Sequence, residues 1–195
     1  MALRAGQSSL ERGMRSLRRM QELIDHSLTV ARESSGVELR PERVLLRELL
    51  EEAASFAASA AEDKKIDIRI RLEQEPTVDL DLRLARSALT NLVTNAVKYS
   101  CAGSTVELRG TSAGGRAVIE VEDCCGGLPP GKVEEAFAPF VRFHSRQSGF
   151  GLGLAIAKQA ADAHGGTIRV QNLPGKGCIF ALEFPLVSSA AAPEK

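Results

Sequence analysis

The chain has 195 residues, 44% of them hydrophobic, enough for one good-sized buried core with a helical extension. Lysine plus arginine and aspartate plus glutamate both number 25, so no overall field draws the chain to nucleic acid or to an anionic membrane, and any anion site must be local. No apolar run approaches the roughly 20 residues that cross a bilayer, and the opening MALRAGQSSLERG lacks an apolar signal core, so a soluble, cytoplasmic chain without membrane contact is expected.

In chain order, Leu10 to Arg32 reads as a helix. Leu10, Met14, Leu17, Ile24, Leu28 and Ala31 keep the alternating four and three of a heptad seam, interrupted by Gln21, so this helix wants a partner helix. Glu33 to Glu42, with SSG and a proline, reads as a turn-rich joint. Leu45 to Ala61 is rich in alanine and leucine and reads as a helix. Ile66, Ile68, Ile70 and Leu72 then alternate with charged residues as a half-buried strand, and Thr77 to Leu80 supplies another. Asp81 is placed to cap the N-terminus of the helix Leu84 to Ser100. Thr105 to Arg109 and Ala117 to Val121 read as strands around an SAGG turn, Leu152 to His164 as a helix, and Thr167 to Val170 and Cys178 to Leu186 as the last strands. The class is therefore α+β, a mixed sheet with helices on one face, and the tail SSAAAPEK is expected to be disordered.

The helix Leu84 to Ser100 carries two faces. Ala85, Leu89, Leu92 and Ala96 form the stripe that a helix buries against a sheet. Ser87, Asn91, Asn95 and Lys98 form a second stripe. Two amides and a cation one turn apart suit a metal-bound phosphate, because an amide oxygen is a hard neutral ligand and lysine offers a point charge; a solvated face is the plain alternative. The four cysteines, Cys101, Cys124, Cys125 and Cys178, have no paired spacing that would hold zinc and are few for a disulfide scaffold, so ordinary thiols are expected.

Three further stretches follow: VIEVEDCCGGLP from Val118 to Pro129, SGFGLGLAI from Ser148 to Ile156, and GKGCIF from Gly175 to Phe180. With the asparagine stripe, and in this order, they resemble the N box, the two glycine boxes and the closing glycine turn of the GHKL ATPases. They are most similar to the ATP-binding domain of bacterial sensor histidine kinases. EEAFAPFVR, Glu134 to Arg142, with Phe137 and Phe140, resembles the F box that separates the kinases from the hydrolases. The resemblance covers about four fifths of the chain, and the ordered set is far more specific than any single box.

The resemblance implies a two-layer α/β sandwich of the Bergerat type, mainly antiparallel, preceded by a long N-terminal helix. It divides the chain into residues 1–36, the second helix of a dimerisation and phosphotransfer hairpin plus linker; 37–187, the ATP-binding catalytic domain; and 188–195, the tail. Asp123 is expected to accept a hydrogen bond from the exocyclic amine of adenine, which guanine cannot offer there. Asn95 is expected to ligate Mg2+ on ATP, with Asn91 in support one turn away, Lys98 to neutralise phosphate, and Tyr99 to line the base or ribose. Gly127, Gly149, Gly151, Leu152 and Gly153 are expected to bring backbone amides to the nucleotide. Arg142 to Ser148 is expected to form a lid. Hydrolytic relatives carry a glutamate where this chain has Asn91. An amide cannot take a proton from water at neutral pH, so Asn91 favours phosphotransfer over hydrolysis.

Two departures stand out. Cys125 occupies the first glycine position of the D-x-G-x-G box, and Cys178 replaces the threonine of the last turn. His26 is followed by Ser27 and Leu28 rather than by an acidic residue, and so reads as a helix-surface or bundle histidine, not a phosphoacceptor. The expected partners are the missing first hairpin helix and sensor region, a response-regulator receiver domain and a second copy through the N-terminal helix. The alternative is a nucleotide-binding scaffold that acts through helix-mediated dimerisation, and a third is an anti-sigma serine kinase of the same superfamily.

Overall fold

A computed structural model describes residues 39–73, 76–143 and 150–186. The expected heptad helix with His26, the tail, Gly149 and the lid residues 144–148 lie outside the described residues. In chain order the elements are β1 (Pro41–Leu45), α1 (Leu46–Asp63), β2 (Asp67–Leu72), β3 (Thr77–Asp81), α2 (Leu82–Tyr99), β4 (Thr105–Ala113), β5 (Arg116–Glu122), a 3-10 turn (Glu134–Phe137), α3 (Gly153–Ala163), β6 (Thr167–Leu173) and β7 (Gly177–Pro185). No helix among the described residues is long and apolar enough to cross a membrane.

The main sheet runs β2-β4-β5-β7-β6, and β1 pairs with β3 in a separate antiparallel ribbon. Every pair of the main sheet is antiparallel except β2–β4. A parallel pair needs a long crossover, and the segment β3–α2 supplies it. The result is the mixed, mainly antiparallel two-layer sandwich that the sequence implies. β1 is new: the joint ending at Glu42 gives way to a strand from Pro41, where a proline is tolerated because the strand starts there on an edge.

One face of the sheet is enclosed. Along β5, Ala117, Ile119 and Val121 are buried while their neighbours are half-exposed. The three helices cover this face, with α2 between α1 and α3. Phe184, Leu182, Ile119 and Leu108 are fully enclosed, each contributing about 1.5–3 kcal/mol by leaving water. The expected stripe Ala85, Leu89, Leu92 and Ala96 faces this core at 0–1% exposure.

Both ends of α2 are fixed. Asp81 caps the start, accepting from the amides of Arg83 and Leu84 at 3.2 and 3.4 Å. The amide of Asp81 itself donates to Nε2 of His164 at 2.9 Å, while Nδ1 of that ring lies 2.6 Å from the carbonyl of Ala160. At the other end, Nζ of Lys64 donates to the carbonyls of Val97, Lys98 and Ser100 at 2.9, 2.8 and 2.7 Å. These are carbonyls that a helix terminus leaves without intrahelical partners, so an ammonium satisfies them and also suits the negative end of the dipole.

Candidate functional site

Strand β5 delivers Asp123 at its end, where the carboxylate is only 6% exposed. Two chain segments hold it. Oδ1 accepts from the amides of Cys125 and Cys178 at 3.0 and 2.8 Å, and the main-chain amide of Asp123 donates to the carbonyl of Cys178 at 2.9 Å. A carboxylate offers about four lone-pair sites, so two amides on one oxygen leave acceptor capacity for a ligand. The second glycine of GKGCIF is dictated by this contact: a Cβ on Gly177 would lie 1.9 Å from the carbonyl oxygen of Asp123.

The turn after Asp123 accommodates Cys125 at the position expected to hold glycine. Gly126 and Gly127 carry the left-handed backbone, at φ of 85° and 93°, and Cys125 is not among the residues with positive φ. Asn172 on β6 brackets the same turn, accepting from the amide of Leu128 at 2.8 Å and donating to its carbonyl at 3.0 Å. The sequence reading missed Asn172. Its only signal was an asparagine ahead of Leu-Pro-Gly, which reads as a local turn residue rather than as a brace for a loop 44 positions earlier.

The end of α2 is fastened to this turn. Oγ of Ser100 accepts from the amide of Cys124 at 3.0 Å, and the amide of Cys101 donates to the carbonyl of Cys124 at 3.2 Å. Asn95 stands five residues before Ser100, about 7.5 Å along the axis at 1.5 Å per residue. The turn after Asp123 is thus fastened to the C-terminal end of the helix that carries Asn95. Asn91, Asn95, Lys98 and Tyr99 lie on one half-buried stripe of α2. The side-chain amide of Asn91 donates to the carbonyl of Ser87 at 2.8 Å, which orients its oxygen away from that carbonyl. Nζ of Lys98 sits 4.7 Å from the centre of the Tyr99 ring.

Helix α3 begins against this stripe. A Cβ on Gly153 would come within 3.0 Å of Oδ1 of Asn91 and Nδ2 of Asn95, so glycine lets the start of α3 approach both amides. Among the described residues no side chain caps α3. Its first N–H groups and the positive end of its dipole thus stand beside two amides, a donor set that fits a metal-bound polyphosphate. Leu152 is 1% exposed, so its side chain serves packing. Gly151 packs on the main chain of Val141, and the amide of Phe140 donates to the carbonyl of Gly151 at 2.9 Å. Phe137 meets Phe180 of β7 edge-on at 6.5 Å, tying the phenylalanine run to the strand that holds Asp123.

The two unexpected cysteines meet. Sγ of Cys125 and Sγ of Cys178 are 3.5 Å apart, and the amide of Gly127 donates to the Cys125 sulfur at 3.3 Å. The hydrogen bond with Cys178, burial, and the hydrogen bond and charge of Asp123 push the Cys125 thiol far above the ordinary thiol range.

A family model described as "Histidine kinase-, DNA gyrase B-, and HSP90-like ATPase" matches residues 80–188. Similar proteins include the sensor-like histidine kinase SenX3 of Mycobacterium tuberculosis, 38% identical over 73% of this chain and 36% of its own length. The alginate biosynthesis sensor protein KinB of Pseudomonas aeruginosa is 31% identical over 86% of this chain and 29% of its own. The chain thus spans about a third of the length of these relatives. Full-length ShkA, solved in complex with AMPPNP, is 30% identical over 98% of this chain and 40% of its own, with a TM-score of 0.81. The catalytic domain of the histidine kinase ThkA shares the fold at a TM-score of 0.69 and 24% identity, over 75% of this chain and 96% of its own.

Proposed function

Since the chain belongs to the histidine kinase-, DNA gyrase B- and HSP90-like ATPase family, as the ATP-binding catalytic domain of a sensor histidine kinase, we propose that it binds Mg-ATP between Asp123 and Asn95. It passes the γ-phosphate to a histidine on a hairpin helix, for relay to an aspartate of a response-regulator receiver domain. The observation that carries this reading is the pairing of a buried carboxylate, clamped by two main-chain amides, with a helix start seated on two asparagines.

Each residue then has a task. Asp123 accepts from the exocyclic amine of adenine and sets the base. The amide oxygen of Asn95 ligates magnesium, and Asn91 supports it from one turn away. When bound, magnesium neutralises charge on the transferring phosphoryl group. Lys98 and the start of α3 hold the phosphate oxygens. Tyr99 lines the base or ribose. Asn91 lacks a basic group for water, so the γ-phosphate is kept for the histidine acceptor.

The partner that completes the enzyme is a hairpin bearing the acceptor histidine, with the segment 10–32 pairing between two copies. The test adds that hairpin in trans with γ-labelled ATP. Phosphohistidine should form on the added hairpin and not on His26. Nucleotide binding with no transfer to any hairpin histidine would leave a scaffold, not a kinase.

A further inference from the structure

Asp123, Cys125 and Cys178 offer one oxygen and two sulfur donors whose ligand atoms all lie within 4.8 Å of one another. We propose that these three side chains form a site for a soft divalent cation such as zinc, and that filling it excludes nucleotide. The exclusion rests on the adenine role proposed for Asp123; the cation site does not.

The sulfur–sulfur distance suits a metal better than a disulfide. Tetrahedral zinc, with Zn–S about 2.3 Å and Zn–O about 2.0 Å, holds sulfur about 3.8 Å from sulfur and about 3.5 Å from oxygen. The sulfurs stand 3.5 Å apart, so a few tenths of an ångström of opening admits the ion. A disulfide, at about 2.05 Å, would need them to close by about 1.4 Å.

The surroundings are those of a supported site. Oδ1 of Asp123 is oriented by two amides, and the Cys125 sulfur accepts from the amide of Gly127. Such outer contacts orient metal ligands. Oδ1 of Asn172 lies 3.8 Å from Sγ of Cys178 and stands near enough to serve as a fourth donor after a small shift. Cys178 is buried, whereas Cys125 is half-exposed and gives the ion a way in. On binding, two metal–sulfur bonds form, two thiol protons pass to the buffer, and no electron is transferred. Magnesium, which takes oxygen ligands, does not suit this pair of sulfurs.

Cobalt(II) is the probe, added to the chain carrying C101S and C124S so that the exposed thiols are absent. One cobalt per chain should bind with tetrahedral visible bands and thiolate-to-metal charge transfer. Both signals, and a cobalt-induced rise in melting temperature, should vanish in C125S. Saturating zinc should weaken binding of a fluorescent ATP analogue by about tenfold or more in the parent and not in C125S. A cobalt spectrum without thiolate character, or one unchanged by C125S, overturns the site. Simultaneous binding of zinc and the analogue overturns the exclusion. If the analogue fails to bind without zinc, the nucleotide reading falls, and the cobalt spectrum still decides the metal site.

Discussion

Asp123→Asn separates reading of the base from support of the fold. Asparagine keeps the shape, and its one oxygen can go on accepting from the amides of Cys125 and Cys178. Its NH2 then occupies the place of the second carboxylate oxygen and presents donors to the donor amine of adenine. A hydrogen bond to a charged acceptor contributes about 1.5–3 kcal/mol, so ATP affinity should fall about 10- to 150-fold. Guanine carries an oxygen at that position, so GTP should lose nothing through this contact, and the ATP-to-GTP preference should narrow by the same factor. Unfolding free energy should change by no more than about 1–2 kcal/mol, because both amides keep a partner. Titration calorimetry with both nucleotides, together with denaturant unfolding, measures all three. Equal weakening of ATP and GTP, or unchanged ATP affinity, refutes the role given to Asp123.

Gly153→Ala puts a methyl within 3.0 Å of two side-chain amides that can shift, so stability should change by under about 1 kcal/mol while the magnesium-dependent part of ATP affinity drops, seen by titrating with and without magnesium. Asn91→Glu should raise ATP hydrolysis in a phosphate-release assay; an unchanged rate would remove the case that Asn91 spares the γ-phosphate. Lys64→Met strips three carbonyls at the end of α2 of their ammonium and should cost about 1–3 kcal/mol in denaturant unfolding. Burial of Asp81 raises its carboxyl pKa, but the hydrogen bond from Arg83, those from the amides of Arg40 and Leu84, and the Arg83 charge outweigh it and hold the group below its ordinary value. A carboxylate depressed on folding stabilises above the unfolded pKa of about 3.9 and loses that contribution as pH falls through the folded value. The gap of about 1 kcal/mol between wild type and Asp81→Ala at pH 7 should therefore shrink below about pH 4 in unfolding curves.

The parts legible in the sequence are those set by local pattern. The buried stripe of α2 and the Asp81 cap follow from periodicity and capping chemistry within a few residues of each other. The placement of Asp123 followed from an apolar strand meeting an acid and glycines. What stayed hidden depends on partners far along the chain. β1 was illegible because Pro41, Glu42 and Arg43 look like loop, and only Val44 is buried. Lys64 reads as one more solvated lysine at a helix end until the fold brings three carbonyls of α2 to it. The cysteines lack any metal spacing in sequence, yet the β5–β7 register that pairs Glu122 with Ile179 sets Cys178 against Asp123 and its turn.

That register also orders events during synthesis. β7 enters the sheet between β5 and β6, and the clamp on Asp123 comes from Cys178, 55 residues later. A nascent chain that has not yet extended past Cys178 carries the carboxylate without one of its two amides, and β5 with only β4 beside it. If Asp123 reads the purine as proposed, a nucleotide-bearing resin should retain chains that extend past β7, while chains terminated before Cys178 wash through.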